Sequence, residues 1–511
     1  MFGERLRPHA TLLCLLPCVL TLLGACSDSV DDARRPWLRS YVIDENRALF
    51  ERSPALTEGK MMKMASGLYP WFRGTLGVFH ADTIAPNPGA LPTRYGSPRS
   101  SRVLVLGDPH PENIGSFRAG DGTLLVEFND FDACAFGPYH LDVRRLALGV
   151  YIAGISAAMS PEGRDAATQQ VAVGYLEEIQ ALLAGAEGVQ LRRLAGHGTL
   201  VDDLLRRAHR DGGDQEHLNT YSAVDEDGVR HMIYGELDPP EIPGVYADEV
   251  MEVSFEERAL VEAALAAYPQ SLVVMPGQQP YTPEMFALKG ISRRLGSGVS
   301  NYPVLRYYAL VEGPTTDPHD DWLLELKEIS DPPAFEGLIR YPLRRFASNA
   351  ERVVLAQRTL QERLDDDPLL GWAEVPPLNF RVRHRTSYQK GISVSRMAEK
   401  LAEGDWTEDD IIAFAERSGR LLARSHALAP TLDADRGLEA IAEALGLSAP
   451  GAHPLEQQVS LAEPAGFVEE TLLFVSQYGP RVVADYALFV DMVESEGPRL
   501  GYRAGRGAVI R

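Results

Sequence analysis

An acid, a histidine and an asparagine stand at fixed spacing in Gly107-Asp-Pro-His-Pro-Glu-Asn113, and two more acids follow in Asn129-Asp-Phe-Asp132. Strand-like runs at 103–106 and 124–128 place Asp108, Asn113 and Asp130 on loops at strand ends. Carboxylate and amide oxygens are hard donors. They suit Mg²⁺, which keeps several waters and is held by one or two carboxylates together with substrate phosphates.

A metal–phosphate site also needs groups that grip the phosphates, and the candidates lie downstream. Leu295-Gly-Ser-Gly-Val-Ser-Asn301 falls between two expected strands in 291–311, so the backbone N–H groups of Gly296, Ser297 and Gly298 can approach phosphate oxygens. An ordinary hairpin turn would look the same. In Trp322-Leu-Leu-Glu-Leu-Lys327, alternation puts Lys327 on the side of Leu323 and Glu325. Taken alone, a strand-edge lysine with a solvated head is the better reading, which the glycine turn before it and the helix after it reverse. A long helix is expected over 344–363 and another strand over 379–384. Arg381 and Arg383 alternate there and could meet a phosphorylated or acidic acceptor, although alternating strand arginines ordinarily face solvent. Arg73 is a possible site residue, with a plain salt bridge as the alternative.

The supporting elements are mostly helical. Ser160-Pro161 caps a helix whose apolar stripe is Val171, Tyr175, Ile179 and Leu182. Ser254 to Glu257 form a capping box. Thr407 caps a helix running to 427, and further helices are expected at 457–478 and 482–494. Residues 209–250 read as an irregular excursion and 27–36 as a polar tether.

The 511 residues suffice for more than one lobe. A formal charge of −22 excludes general nucleic-acid binding, which needs a basic surface. The first 25 residues read as a targeting segment: Arg5 and Arg7, an apolar run too short to span, then Leu23-Gly-Ala-Cys26. Small residues before a cysteine resemble a bacterial lipobox, which would make Cys26 the lipidated N-terminus, with a plain signal peptide as the alternative; by the same resemblance Ser27 after it points to the outer membrane. Cys14 and Cys18 leave with the leader, so Cys134 alone remains and no disulfide can form within the mature chain.

The two acidic loops resemble those of protein-kinase-like phosphotransferases, especially the aminoglycoside and choline kinase branch, where Gly-Asp-x-His-Pro-x-Asn precedes a hairpin and then Asp-Phe. That resemblance implies that Asp108 is the catalytic base for an acceptor hydroxyl, that Asn113 and Asp130 hold Mg²⁺, and that Asp132 adds a metal contact. It makes Asp142, after Gly137-Pro138, a brace for the catalytic loop. It also assigns Gly296, Ser297, Gly298 and Lys327 to ATP or another nucleotide, with Glu351 of the following helix as the partner of Lys327 and Gln357 as a rival. Leu106 departs from the branch, which carries histidine there. A metallophosphatase also begins from Gly-Asp-x-His, but its later Gly-Asp-x-x-Asp and Gly-Asn-His-[Asp/Glu] motifs do not occur.

Kinases place the nucleotide lobe before the catalytic loop; here its candidates follow it. A helix ending in Gly419 to His426, of the kind that leads into a catalytic loop, lies near the other end of the chain. Circular permutation accounts for both. This arrangement resembles the bacterial domain of unknown function 2252, on Phe72-Arg-Gly74, 107–113, 129–132, 137–146, 324–328, Leu370-Gly-Trp372 and 422–427, over roughly residues 60–495.

The expectation is an α+β, kinase-like, circularly permuted two-lobe fold behind a lipoprotein signal peptide. Residues 1–25 are the leader, 26–36 a lipidated tether, 37–280 the catalytic-loop lobe, 281–400 the nucleotide lobe and 401–511 the helical return. The expected activity is Mg²⁺-dependent phosphoryl transfer, nucleotidyl transfer being the close variant, in an exported, membrane-anchored lipoprotein. Periplasm holds little ATP, so an envelope-anchored pseudokinase or scaffold is the competing reading, and a cytoplasmic protein whose leader is not used is a third.

Overall fold

The computed structural model describes residues 28–503, apart from 85–91, 236–245, 247–249, 275–277, 333–344, 362–366, 433–435, 448–463 and the positions 120, 194–195, 214–215, 297 and 301. The leader and Cys26 therefore lie outside the described residues. Among the described residues no helix is long and apolar enough to cross a membrane.

The chain is a mixed α+β protein with two main hydrophobic cores. The larger core is helical. Its centre is the pair Pro161–Leu183 and Glu408–Leu428, which pack at glycine contacts. A Cβ at Gly174 would lie 2.2 Å from Glu416 O, and one at Gly419 would lie 2.1 Å from Val171 O, so only glycine permits this approach. Both predicted caps form. Ser160 Oγ accepts from Gly163 N (3.0 Å), and Thr407 makes a capping box with Asp410.

Twelve strands are described: β1 (Val103–Val105), β2 (Ile114–Arg118), β3 (Leu124–Phe128), β4 (Ala135–Gly137), β5 (Ser222–Val224), β6 (Arg230–Met232), β7 (Val250–Met251), β8 (Leu288–Arg294), β9 (Arg306–Val311), β10 (Trp322–Glu328), β11 (Gly371–Val375) and β12 (Leu378–His384). The second lobe is one antiparallel sheet in the order β11-β12-β10-β9-β8-β7. Alternation sorts its faces. Tyr307, Leu324, Leu326, Phe380 and Val382 pack against Val261, Leu265 and Tyr268 of the preceding helical segment. Leu323, Glu325 and Lys327 point the other way.

Several expectations need correction. The strand at 103–105 pairs with β4, and the partner of 124–128 is β2, which the reading missed because Ile-Gly-Ser-Phe-Arg does not alternate cleanly. The expected tether is already helical from Asp28, in the helix Asp28–Arg52, where Arg34 is tied to Asp82 and Asp485. The expected excursion contains helix Glu216–Tyr221 and the hairpin β5–β6, with Leu218 and Met232 packed on Tyr308 and Leu310. The sheet lobe thus gathers segments well before residue 281. It also ends before residue 400, because Val394 and Met397 belong to the helical core. The helix expected at 344–363 spans only Asn349–Leu360, and the last two expected helices are one, Pro464–Glu496, continuing through Pro480.

The segment after helix Glu408–Leu428 runs beside the strand that leads into Asp108. Leu104 N donates to Pro430 O (2.9 Å) and Leu432 N to Arg102 O (3.1 Å). Residues more than 300 positions apart in sequence are thus neighbours at the mouth of the acidic loop.

His140 opens the helix Tyr139–Ser156, and its Nδ1 is buried without a hydrogen-bond partner among the described residues. Burial, then Arg144, pushes its imidazole down to about 3. The unfolded chain takes up a proton near pH 6.5 and the fold does not. The contribution to stability is therefore complete above that pH and falls as the pH drops, by about 2 kcal/mol between 6.5 and 5. Urea unfolding at pH 7.5 and pH 5 should show this loss, reduced by one proton's share in His140→Gln. An equal loss in both proteins would remove His140 as its source.

Candidate functional site

Asp108 sits on a tight turn after β1. Gly107 has φ +84°, and a Cβ there would lie 2.2 Å from Ala133 O, so the turn requires glycine. Asp142, in the first turn of helix Tyr139–Ser156, accepts from Leu106 N (2.8 Å) and Gly107 N (3.1 Å). His426 Nε2 reaches the same carboxylate at 3.1 Å, and its Nδ1 meets Tyr175 Oη at 2.9 Å. With Nε2 donating to the carboxylate, Nδ1 accepts the tyrosine proton. A relay from two helices of the large core thereby fixes the backbone immediately before Asp108. His426, read from sequence as helix-end packing, belongs to this brace.

The Asp108 carboxylate accepts from Arg145 Nε (2.8 Å), and the Arg145 guanidinium stacks 3.7 Å from the Phe72 ring. Burial raises the Asp108 carboxyl above its ordinary range, against the opposing pull of Arg145. Asn113 closes the loop. Its Nδ2 donates to Asp108 O (2.8 Å), which leaves the amide oxygen as the atom free to take a cation. Asn129 N donates to Asn113 O (2.9 Å) and so couples the two acidic loops.

Lys327 comes from the sheet lobe. Its Nζ lies 2.5 Å from Asp132 and 3.7 Å from Asp130. Burial acts to raise both acids. For Asp130 the fields of Lys327 and Arg381 outweigh it, and the carboxyl is lowered; for Asp132 the neighbouring Asp130 adds to it, and the carboxyl is raised. One ionised and one harder-to-ionise carboxylate share a lysine.

Glu351 is not the partner of Lys327. The helix begins at Asn349, so Glu351 falls in its first turn and turns back to accept from Ala347 N. Gln357 instead donates to Gln361 (3.2 Å). The residue of this helix that reaches the site is Arg352, which sequence reading missed. Its Nη1 donates to Asp132 O (3.0 Å) and to Cys134 O.

Gly296 and Gly298 adopt positive φ (82° and 78°) at the β8–β9 turn, while Ser297 lies outside the described residues. Lys63 Nζ donates to Gly296 O (3.0 Å) and Gly298 O (3.2 Å), tying the turn to the helix Pro54–Ala65. Arg73 Nη1 pairs with Glu112 (2.6 Å), and Arg73 O accepts from Ser300 Oγ (2.5 Å). The Phe-Arg-Gly run thus touches both the acidic loop and the glycine turn.

These residues surround a cavity of about 600 Å³ lined by Asp108, Asn113, Asp130, Asp132, Gly298 and Lys327. A second chamber of about 290 Å³ shares Asn113, Asp130, Gly298 and Lys327 with it and extends toward β12. Among the described residues no group of three His, Cys, Asp or Glu side chains forms a metal cluster. The donor set is two carboxylates and an amide oxygen. That set fits Mg²⁺, which keeps waters and takes phosphate oxygens as its remaining ligands.

The chain matches the family described as an uncharacterized protein conserved in bacteria, DUF2252, over residues 52–492, and it belongs to that family. Comparison with curated proteins found no match. Comparison with solved structures found none either.

Proposed function

We propose that this family member is a Mg²⁺-dependent phosphotransferase with a circularly permuted, kinase-like arrangement. The observation that carries the reading is convergence: Asp108, Asn113, Asp130, Asp132 and Lys327 span 220 positions of sequence and line one cavity. Support for permutation comes from the backbone pairing of residues 430–432 with 102–104. The sheet lobe supplies a glycine turn between its β8 and β9 strands, a lysine on β10 and a helix after it, as the resemblance implies. Cys26 is proposed as the lipid anchor at the outer membrane.

In this reading Asp108 takes the proton of an acceptor hydroxyl as its oxygen attacks phosphorus, and the P–O bond to the donor's remainder breaks with its electron pair. Arg145 orients that carboxylate and favours its ionised form against the effect of burial. Asn113, Asp130 and Asp132 would hold Mg²⁺, which neutralises charge on the transferring group when bound. Lys327, now on Asp132, is placed to hold donor phosphates. Nucleotidyl transfer would use the same grips, so the product identifies the reaction.

Calorimetric titration with ATP and Mg²⁺ tests the site. Binding should require Mg²⁺ and weaken by about tenfold or more in Asp130→Ala, the loss expected for a direct charged ligand. Binding indifferent to both Mg²⁺ and Asp130 would instead make the chain an envelope pseudokinase or scaffold.

A further inference from the structure

The two chambers differ in chemistry. Asp108 lines only the larger one, so the acceptor hydroxyl must enter there. The smaller chamber shares Asn113, Asp130 and Lys327 with the larger one, lacks Asp108, and is left for the donor. Seven arginine or lysine side chains line it, against two carboxylates, Glu112 and Asp130. In a chain of net charge −22 this is a strong local reversal of sign. Phe117 is the one large apolar side chain among the described residues of its lining, and it is only 2% exposed.

The sheet register builds this charge. Arg306, Lys327 and Arg381 stand directly opposite one another on β9, β10 and β12, a row of three cations across adjacent strands. Like charges in cross-strand pairs repel. Glu325 behind the row takes Arg381 (2.8 Å) and Arg383 (3.0 Å). Asp132 takes Lys327, Glu112 takes Arg73 and Asp211 takes Lys390, while Glu325 is shared between Arg381 and Arg383; Arg381 Nε and Arg385 Nε have no hydrogen-bond partner among the described residues. Cations held side by side along a chamber wall are an arrangement that binds phosphate oxygens. A nucleobase needs apolar or aromatic surface to bury against, and this chamber offers almost none.

We propose that the smaller chamber binds a chain of phosphates and that the donor is an inorganic oligophosphate, with no base to be recognised. The inference rests on the phosphotransferase reading and names its donor. The reaction balances without a further reactant. The terminal P–O–P bond breaks, the leaving oxygen keeps the electron pair on a polyphosphate one unit shorter, the acceptor oxygen bonds phosphorus, and its proton passes to Asp108. Such a donor also removes the need for ATP outside the cytoplasm.

The test is titration of the full chain with Mg²⁺ and, in turn, tripolyphosphate, ATP and adenosine. Tripolyphosphate should bind at least as tightly as ATP, and adenosine should not bind. In Arg385→Ala/Lys390→Ala, at the chamber's more exposed rim, tripolyphosphate binding should weaken about tenfold or more, with an unchanged melting temperature. ATP binding tenfold tighter than tripolyphosphate would overturn the donor class and leave the phosphotransferase reading standing. Tripolyphosphate binding lost in Asp130→Ala but unchanged in the double variant would place the phosphates at the acids alone and overturn the chamber's role. Absence of Mg²⁺-dependent binding by both ATP and tripolyphosphate would sink both readings. The comparison of the three ligands needs no variant, so it decides even if the double variant fails to fold.

Discussion

Asp108→Asn is expected to lower phosphoryl transfer by roughly 10²–10⁴-fold, the range of a positioned general base, while Mg²⁺-dependent phosphate binding survives. The substitution is nearly isosteric, and its amide oxygen can still accept from Arg145 Nε, which now bonds Asp108 at 2.8 Å. The loop should hold, because its backbone is fixed from behind by Asp142 and His426, not by the Asp108 side chain. What is lost is the capacity to take a proton. Burial makes Asp108 a stronger base than a solvated aspartate, and Arg145 opposes that rise. A base acts only in the transition state, so kcat and kcat/KM should fall together. Single-turnover measurements on both proteins would show it. Unchanged turnover in a folded variant would remove Asp108 from the chemistry, and a rise in KM alone would make it a binding residue.

The acids were legible because they are local. Asp108, Asn113 and Asp130 lie within 23 positions, so they could be grouped even though the hairpin strand β2 between them was missed. Lys327 was legible from strand alternation, since its side follows once the strand is recognised. Partners chosen by tertiary packing were not. Glu351 was assigned to Lys327 because a helix follows the strand, but where that helix starts decides which residue faces the cleft. A start at Asn349 leaves Glu351 capping its own helix and brings Arg352 to the site. The brace behind the acidic loop joins Tyr175, His426 and Asp142 across 284 positions, and no local pattern announces it. Arg381 and Arg383 show the limit of alternation. Period two says only that two side chains share a face; that this face is a buried cleft and not solvent depends on the opposing lobe. Arg381 is 2% exposed and Arg383 is buried enough that its guanidinium is pushed down to about 9, with neighbouring cations adding to the effect.

The largest stability effect should come from a pair outside the cavity that holds its acidic hairpin in place. Glu127, on β3 two residues before Asn129, receives Arg424 Nη2 at 2.6 Å and 2.5 Å on its two oxygens, and both side chains are almost fully buried. Arg424 Nη1 also donates to Val189 O (2.8 Å), so the guanidinium clamps helix Glu408–Leu428, the hairpin and the intervening segment. Removing one partner leaves the other charged and desolvated. Arg424→Met should therefore cost about 3–5 kcal/mol, whereas Glu127→Leu/Arg424→Met removes both charges and should recover most of it. Urea unfolding of the wild type and both variants measures this. A loss below about 1 kcal/mol would be the value of a solvated pair and would mean that water reaches this contact. The rescue separates two roles that the fold combines. If the double variant regains stability but binds Mg²⁺-phosphate poorly, the ion pair serves chiefly to set the angle at which β3 delivers Asp130 to Lys327. If both return together, burial of the hairpin is enough to place the acid.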